Sequence, residues 1–192
     1  MRGKPWFPLP HETNSPLRPT LKAPGDRLAI VGRTAADLLG SQLELAGRVS
    51  GGRLPTVDAA ACRAACRAVD AAGRAGLLQA CHDCSDGGLA VAVAEMAIAG
   101  RLAARLELAA VPCTDDAAGH DLAVAFAETP GRFLCEVRPD EAEAFARVLG
   151  GVPWAWIGTV LSAPDMEIIR HDGAVERVAV ERLARAWRGE EA

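Results

Sequence analysis

The sequence predicts an α/β sandwich in which a mixed β-sheet packs against helices. Three features indicate this fold: short apolar runs typical of buried strands, longer segments with helical periodicity, and turn residues between them. Because strand-like and helix-like segments alternate along the chain, they favour one layered domain. With 192 residues, half of them hydrophobic, the chain is long enough to form a single core.

Seven segments have the composition of β-strands. The first is a short apolar run closed by Gly32, and the last two are joined by His171-Asp172-Gly173, which is typical of a tight turn. The turn 129–132, with Pro130-Gly131 at its centre, is predicted to introduce the fourth. The predicted strands are residues 28–31, 77–81, 102–108, 133–137, 154–160, 166–170 and 175–180.

Five segments are predicted to be helical, at residues 59–72, 88–99, 115–124, 139–149 and 181–187. Asp58 precedes the first of them and is a suitable N-cap, and Gly73 is expected to end it. In the second helix, Leu89, Val93 and Met96 recur at helical spacing. These three side chains are therefore expected to be buried against the sheet or another helix.

Residues 1–25 differ in composition from the rest of the chain. They hold six of the twelve prolines and end in Pro24-Gly25, so a regular helix is excluded. We predict an extended arm over residues 1–25 and a globular domain over residues 26–192.

The charge and hydropathy of the chain exclude some classes of partner. The formal charge is −4 and basic residues are interspersed with acidic ones, which argues against nucleic acid or an anionic membrane as a partner. No apolar run approaches the roughly 20 residues that span a bilayer, and the N-terminus lacks the apolar segment of a secretory signal. A cytoplasmic location is the resulting expectation.

The chain contains six cysteines, which we interpret as reduced thiols, because a domain of this size has no need of a disulfide framework. Cys81 and Cys84 have CxxC spacing, and with Cys62 and Cys66 they suggest zinc or redox chemistry as an alternative. A structural zinc site normally pairs two such motifs, and no second one follows. The six are Cys62, Cys66, Cys81, Cys84, Cys113 and Cys135.

The segment from His82 to Leu89 has the strongest potential for chemistry. A predicted strand is followed by a glycine turn at which a helix begins. Two carboxylates and a hydroxyl lie at this junction, those of Asp83, Asp86 and Ser85. The amides of Gly87 and Gly88, at the positive end of that helix, are suited to an anion. Two carboxylates beside a phosphate require a bridging cation, for which Mg²⁺ is the natural choice. The segment therefore predicts a magnesium-nucleotide site.

Simpler explanations exist for the same residues. Asp86 would be an N-cap, Ser85 a turn residue and Asp83 a solvated carboxylate at a strand end. His82 would point at a phosphate or, alternatively, pack at the end of its strand. Glu128 and Arg132 bracket a turn and would form only a surface ion pair.

The block His82-Asp83-Cys84-Ser85-Asp86-Gly87-Gly88-Leu89, followed by Ala94-Glu95-Met96-Ala97, resembles the C-terminal domain of phosphoribosylformylglycinamidine synthases, the formylglycinamide ribonucleotide amidotransferases. Cys84, where the family usually has an aliphatic residue, and residues 125–128 depart from its pattern. Together with weaker matches, the resemblance extends from Gly25 to Trp187. The weaker matches are Gly25-Asp26 with Ile30-Val31-Gly32, Leu39-Gly40-Ser41-Gln42, Pro55-x-Val57-Asp58, Glu128-x-x-Gly131-Arg132 and Ile157-Gly158-x-Val160.

The resemblance implies a domain like the C-terminal domain of aminoimidazole ribonucleotide synthetase. It implies a part in a reaction in which ATP activates the amide oxygen of formylglycinamide ribonucleotide and ammonia displaces the phosphate. By the same resemblance, Asp83 would bind Mg²⁺ and Ser85 would contact ATP or ADP at an auxiliary site. It also implies an interface or ligand role for Glu128 and Arg132.

The implied partners are the remaining synthetase domains, a glutaminase subunit and a small accessory subunit. The catalytic histidine and the substrate-binding segments of the family lie in domains that precede this one, and this chain has no Gly-x-Gly-x-x-Gly or Walker A motif. We therefore expect the chain to need those domains for amidation. The alternative is a non-catalytic remnant or interaction module with the same fold.

Overall fold

The computed structural model describes residues 17–190, which form seven strands, six α-helices and two short 3₁₀ turns. The longest helix has 16 residues, and no helix in this range combines the length and the apolar character needed to cross a bilayer. In chain order the elements are β1 (Arg27–Val31), α1 (Gln42–Leu45), α2 (Ala59–Arg74), β2 (Ala80–Asp83), α3 (Gly88–Gly100), β3 (Ala103–Glu107), α4 (Asp121–Phe126), β4 (Phe133–Val137), α5 (Ala142–Leu149), β5 (Trp154–Leu161), β6 (Asp165–Ile169), β7 (Val175–Ala179) and α6 (Val180–Trp187).

All seven strands belong to one sheet, in the order β2-β4-β1-β5-β3-β6-β7. Neighbouring strands are antiparallel except for β3 and β6, which run parallel. The prediction of a mixed sheet is therefore confirmed. Among residues 17–190, β2 pairs with β4 alone and stands at one edge, so the turn that follows β2 lies at the margin of the sheet.

Alternate side chains of the central strands enter two hydrophobic cores on opposite faces of the sheet. Leu28 and Ile30 of β1 pack into a core with α3, whereas Ala29 and Val31 pack into a core with α2 and α5. This division follows from the two-residue period of a β-strand. Helices thus cover both faces at the β2 side of the sheet, which confirms the predicted α/β sandwich.

Helices α2 and α3 form where the sequence predicts them. The Asp58 carboxylate caps α2 by accepting hydrogen bonds from the N–H groups of two residues in its first turn, each at 3.0 Å. In α3, Leu89, Val93 and Met96 are fully buried, as their spacing predicts. Burial of each side chain of this size contributes roughly 1.5–3 kcal/mol, so the stripe fixes α3 against the sheet.

Sequence and structure differ at several element boundaries. β2 begins at Ala80, whereas Leu77 and Leu78 lie in the connection that follows α2, where both are buried without being part of the strand. The helix predicted over residues 115–124 starts and ends later, as α4 at Asp121–Phe126. Gly119, with a positive φ of 76°, interrupts helical geometry before it. Helix α1 was not predicted, because four residues are too few to show a helical period.

The predicted arm can be compared with the structure only at its C-terminal end, because residues 1–16 lie outside the described range. Leu21 is 3% exposed, and its N–H group donates to the carbonyl oxygen of Met96 in α3. The N–H groups of Lys22 and Ala23 donate to the Glu136 carboxylate of β4. This end of the segment packs on the globular body, and the division at residues 25 and 26 stays a prediction.

Candidate functional site

A cleft of about 1000 Å³ opens beside the end of β2. Asp83 at the end of β2, Ser85 and Asp86 in the following turn, and Arg132 just before β4 all line it. Asp83 lies opposite Phe133 in the antiparallel pair of β2 and β4, so the turn after one strand meets the turn before the other. The structure thereby brings the three predicted polar ligands to one cleft.

Asp83 presents an ionised carboxylate to this cleft. Its side chain is 61% exposed, and the Ser85 hydroxyl donates a hydrogen bond to its Oδ2 atom. That hydrogen bond is the main cause that lowers the pKa of Asp83 below its ordinary value. An exposed carboxylate that is charged at neutral pH is the kind of ligand that magnesium requires.

His82 is held by the adjacent helix. Its Nε2 atom lies 2.7 Å from Oε2 of Glu95 in α3, and the side chain is 19% exposed. Its Nδ1 atom lies 3.4 Å from Oδ1 of Asp83 and is buried without a hydrogen-bond partner among the described residues. The geometry agrees with the packed alternative for His82, in which the histidine joins the end of β2 to α3.

The two glycines of the turn are required by backbone conformation and by close packing. Gly87 and Gly88 both have positive φ angles, of 74° and 66°. A Cβ atom at position 88 would lie 2.5 Å from the carbonyl oxygen of Ala127 and 2.9 Å from the carbonyl carbon of Phe126. The start of α3 therefore meets the backbone at the end of α4, and only glycine fits between them.

The N–H groups of both glycines are already engaged by the protein. The Gly87 N–H donates to Oε1 of Glu128 at 2.7 Å, and the Gly88 N–H donates to the Ser85 carbonyl oxygen at 3.0 Å. The expectation that these amides are free to bind an anion is wrong for this conformation. The physical reason is that a carboxylate of the same chain already occupies the positive end of α3.

Glu128 joins the starts of two helices. Besides the Gly87 N–H, its Oε1 atom accepts the N–H of Gln42, the first residue of α1, at 2.8 Å. This bridging role was missed by the sequence analysis, which considered Glu128 with Arg132. No local pattern signals it, because the two donors are 41 and 86 residues away along the chain.

Arg132 is 1% exposed, and the predicted surface pair with Glu128 is wrong. Its guanidinium group donates to the Thr34 hydroxyl at 2.9 Å, to the Thr129 carbonyl oxygen at 3.0 Å, and to the Ala127 carbonyl oxygen. All three acceptors are neutral. Burial lowers the pKa of Arg132, although a guanidinium stays protonated in proteins. A buried positive charge therefore stands at the wall of the cleft.

The donor set fits a cation that arrives with a nucleotide better than it fits a resident structural metal. Asp83 and Asp86 offer two carboxylates, and residues 17–190 contain no group of three histidine, cysteine or acidic side chains arranged to hold a metal. Magnesium commonly uses one or two carboxylates and takes its other ligands from phosphate and water. The N-cap position of α3 belongs to Gly87, so the capping alternative for Asp86 is not what the structure shows.

The CxxC spacing does not bring two thiols together. Cys84 is buried in the core that contains α3, whereas Cys81 packs against the opposite core, beside α2. The two side chains lie on different faces of the sheet, which removes the zinc or redox alternative for this pair. Each of the six cysteines is a free thiol.

The chain matches the family described as AIR synthase related protein, C-terminal domain, over residues 23–171. Solved structures share its fold. Phosphoribosylformylglycinamidine synthase II from Thermotoga maritima has a TM-score of 0.76 at 21% identity, over 92% of this chain and 28% of that chain. T. maritima PurL complexed with ADP has a TM-score of 0.71 at 20% identity, over the same shares.

A more distant functional class has the same fold. E. coli HypE, a hydrogenase maturation protein, has a TM-score of 0.64 at 20% identity, over 88% of this chain and 53% of that chain. The present chain spans little more than a quarter of the T. maritima synthase, 28% of its length. Since the family match covers most of the chain and the fold agrees, the chain belongs to the AIR synthase related proteins, as their C-terminal domain.

Proposed function

We propose that this chain is the C-terminal domain, or a fragment, of a phosphoribosylformylglycinamidine synthase, the ligase that amidates formylglycinamide ribonucleotide with ATP in purine biosynthesis. The observation that carries the proposal is the cleft at the end of β2, where Asp83, Ser85 and Asp86 line one wall. Support also comes from the shared fold with T. maritima PurL, a protein solved with ATP, with ADP and with FGAR.

The proposed ligand of the cleft is a magnesium-bound ATP or ADP. Asp83 and Asp86 would hold Mg²⁺, whose charge would offset the repulsion between these carboxylates and the phosphates. Ser85 would exchange its hydrogen bond to Asp83 for one to a phosphate oxygen. The volume of about 1000 Å³ lies at the upper end of the range for small-molecule sites, so a nucleotide fits.

Gly87 and Gly88 have a restricted part in this proposal. Their N–H groups already donate to Glu128 and to the Ser85 carbonyl oxygen, so they are not available as donors to a phosphate. Without side chains, the two glycines would only leave room for the ligand beside the backbone. Donation by Gly87 to a phosphate would first require Glu128 to move away. The buried Arg132 adds a positive charge to the same wall, which favours an anionic ligand.

Amidation itself is proposed for an assembly. The partners would be the remaining synthetase domains, a glutaminase subunit that supplies ammonia, and a small accessory subunit, in the cytoplasm. The structure of PurLQS from T. maritima aligns with this chain at a TM-score of 0.76. Leu45, Leu54 and Val57 are 75%, 60% and 65% exposed, and this apolar rim, next to Pro55 of the cleft wall, suits a covering domain.

A non-catalytic interaction module with the same fold is the second candidate. The bridging Glu128 favours it, because its carboxylate fills the position that a phosphate would take at the start of α3. On this alternative the cleft binds no nucleotide, and the fold alone is retained.

Substitution of Asp83 tests the proposed site. The wild-type chain is expected to bind ADP in isothermal titration calorimetry only when Mg²⁺ is present, and Asp83→Ala to abolish that binding, because it removes a metal ligand. Asp140→Ala is a matched control, since Asp140 is also exposed, at 73%, and lies outside the cleft. Circular dichroism checks the fold. Equal binding by Asp83→Ala and the wild type would remove Asp83 from the site, whereas no binding by the wild type would support the second candidate.

Reconstitution tests the proposed partners. Mixing the chain with the preceding synthetase domains and the glutaminase subunit is expected to restore amidation, measured as phosphate release that depends on formylglycinamide ribonucleotide. Leu54→Asp should weaken the assembly at least about tenfold, because it places a charge in an apolar contact. Val175→Asp changes an exposed apolar residue of the edge strand β7 and serves as the control. Equal loss in both variants would argue against the rim as the contact surface.

A further inference from the structure

Two cysteines face each other across neighbouring strands beneath the cleft. Cys81 of β2 lies directly opposite Cys135 of β4, and their sulfur atoms are 3.8 Å apart. Cys135 is fully buried, whereas Cys81 is partly exposed and lines the cleft. One thiol of the pair is thus reachable from solvent, and the other is shielded from it.

The strand register places this pair within reach of a disulfide. Residues directly opposed in an antiparallel pair have Cα atoms about 4.5–5.5 Å apart, inside the range that disulfides span. The sulfur atoms would need to come about 1.8 Å closer, which rotation of the two side chains supplies without a change of register. Cys84, on the other face of the sheet, cannot compete for Cys81.

The two thiols differ in access. Cys81 is partly exposed at the cleft, so a small oxidant meets its sulfur atom first, whereas Cys135 is fully buried. Cys81 is therefore the thiol that reacts with the oxidant, and Cys135 is the resolving thiol. Cys84 is also buried and is closed to the oxidant.

We propose that Cys81 and Cys135 are a thiol–disulfide site that a peroxide oxidises reversibly. The Cys81 thiolate attacks one oxygen of hydrogen peroxide, the O–O bond breaks, and the departing hydroxide takes up a proton to leave as water, giving a sulfenic acid. The Cys135 sulfur then attacks the Cys81 sulfur. The S–O bond breaks, and hydroxide leaves with the proton of Cys135 as a second water. Two thiols are oxidised, one peroxide is reduced, and a dithiol reductant restores the starting state.

The disulfide would act on the strand that carries Asp83. Because Asp83 follows Cys81 by two residues, a covalent bond from β2 to β4 would hold the acidic wall of the cleft at the sheet edge. The inference is independent of the proposed function, since the thiols react whether or not the cleft binds a nucleotide.

Oxidation of the full chain with hydrogen peroxide tests the site. The reduced chain is treated, remaining thiols are blocked with N-ethylmaleimide, and the products are mapped by mass spectrometry. A peptide linked through Cys81 and Cys135 is expected, with a mass loss of about 2 Da that dithiothreitol reverses. The melting temperature of the oxidised chain should rise by roughly 5 °C, because the bond closes a long loop.

Single substitutions identify the reacting thiols. Cys66→Ser, which changes an exposed thiol of α2, should form the disulfide as the wild type does. Cys81→Ser should form none, and Cys135→Ser should accumulate a dimedone-reactive sulfenic acid at Cys81. The wild-type peptide map decides the question even if a variant fails to fold. Oxidation of Cys66 while Cys81 and Cys135 remain reduced would overturn the proposal.

Discussion

Gly88→Ala is expected to lower the free energy of unfolding by about 2–5 kcal/mol. Two costs combine: an L-residue held at φ 66° loses about 1–2 kcal/mol, and overpacking a tight contact costs about 1–3 kcal/mol. The new Cβ atom would meet backbone atoms of Phe126 and Ala127, which cannot rotate away as a side chain would. Urea unfolding followed by circular dichroism measures the loss.

Gly76→Ala is the matched control for this experiment. Gly76 has a similar φ of 72°, but nothing lies within 4 Å of a Cβ atom built there. Its substitution should cost only the conformational part, about 1–2 kcal/mol. If both variants lose the same stability, the close approach of α3 to α4 contributes nothing, and the glycine pair would need another explanation.

A glycine-rich turn before a helix can be required by packing as well as by a ligand. Two glycines before a helix predict a phosphate site when the sequence is read alone. In the structure, Gly88 allows α3 to approach α4, and Gly87 lets Glu128 cap the helix start. The same residues serve packing, and the proposed ligand chemistry therefore depends on Asp83, Ser85 and Asp86.

Most of the fold could be predicted because its signals are local. The apolar run of β1, the Pro-Gly turn before β4 and the stripe Leu89, Val93 and Met96 each lie within a few residues of sequence. Boundaries were less accurate where burial extends past a strand, as at Leu77 and Leu78. The buried segment there is longer than the strand, and the apolar composition of a segment indicates that it is buried without showing where the strand begins.

Features of the site that depend on distant residues could not be predicted. Glu128 meets its donors across 41 and 86 residues, and Cys81 meets Cys135 across 54. CxxC spacing even suggested the wrong partner for Cys81. Successive side chains of a strand point to opposite faces of the sheet, so residues that are close in sequence can lie on different faces. Arg132, in the turn before β4, was assigned to the surface because its buried partner Thr34 is 98 residues away along the chain.

The contacts of Glu136 also join residues that are far apart in the sequence, so the sequence alone could not predict them. Its side chain is fully buried on β4, and its carboxylate accepts the N–H groups of Lys22, at 2.9 and 3.0 Å, and of Ala23, at 3.1 Å. Asp26, 5% exposed, lies beside it and has an Oδ2 atom without a hydrogen-bond partner among the described residues. Two carboxyl groups thus share a buried position under the segment that leads into β1.

Burial, with a smaller contribution from the neighbouring Asp26, raises the pKa of Glu136 from its ordinary 4.5 to about 7. The folded state therefore holds this proton up to a higher pH than the unfolded state does. The stabilisation is fully present below pH 4.5 and is lost as the pH rises through about 7. The shift corresponds to about 3 kcal/mol of unfolding free energy.

Glu136→Gln is expected to remove this pH dependence. Glutamine keeps a carbonyl oxygen for the N–H groups of Lys22 and Ala23 and carries no charge. Urea unfolding of both proteins between pH 4 and pH 8 should show the variant gaining about 3 kcal/mol relative to the wild type across that range. Titrating groups that do not contact Glu136 are common to both proteins and cancel in the difference.

Glu143→Gln provides the control, because Glu143 is 95% exposed on α5 and its charge is solvated in both states. Its stability should run parallel to that of the wild type at every pH. A constant difference between Glu136→Gln and the wild type from pH 4 to pH 8 would show that folding does not raise the pKa of Glu136. At neutral pH the carboxylate that accepts the N–H groups of Lys22 and Ala23 would then be charged, and its burial would be offset by those two hydrogen-bond donors.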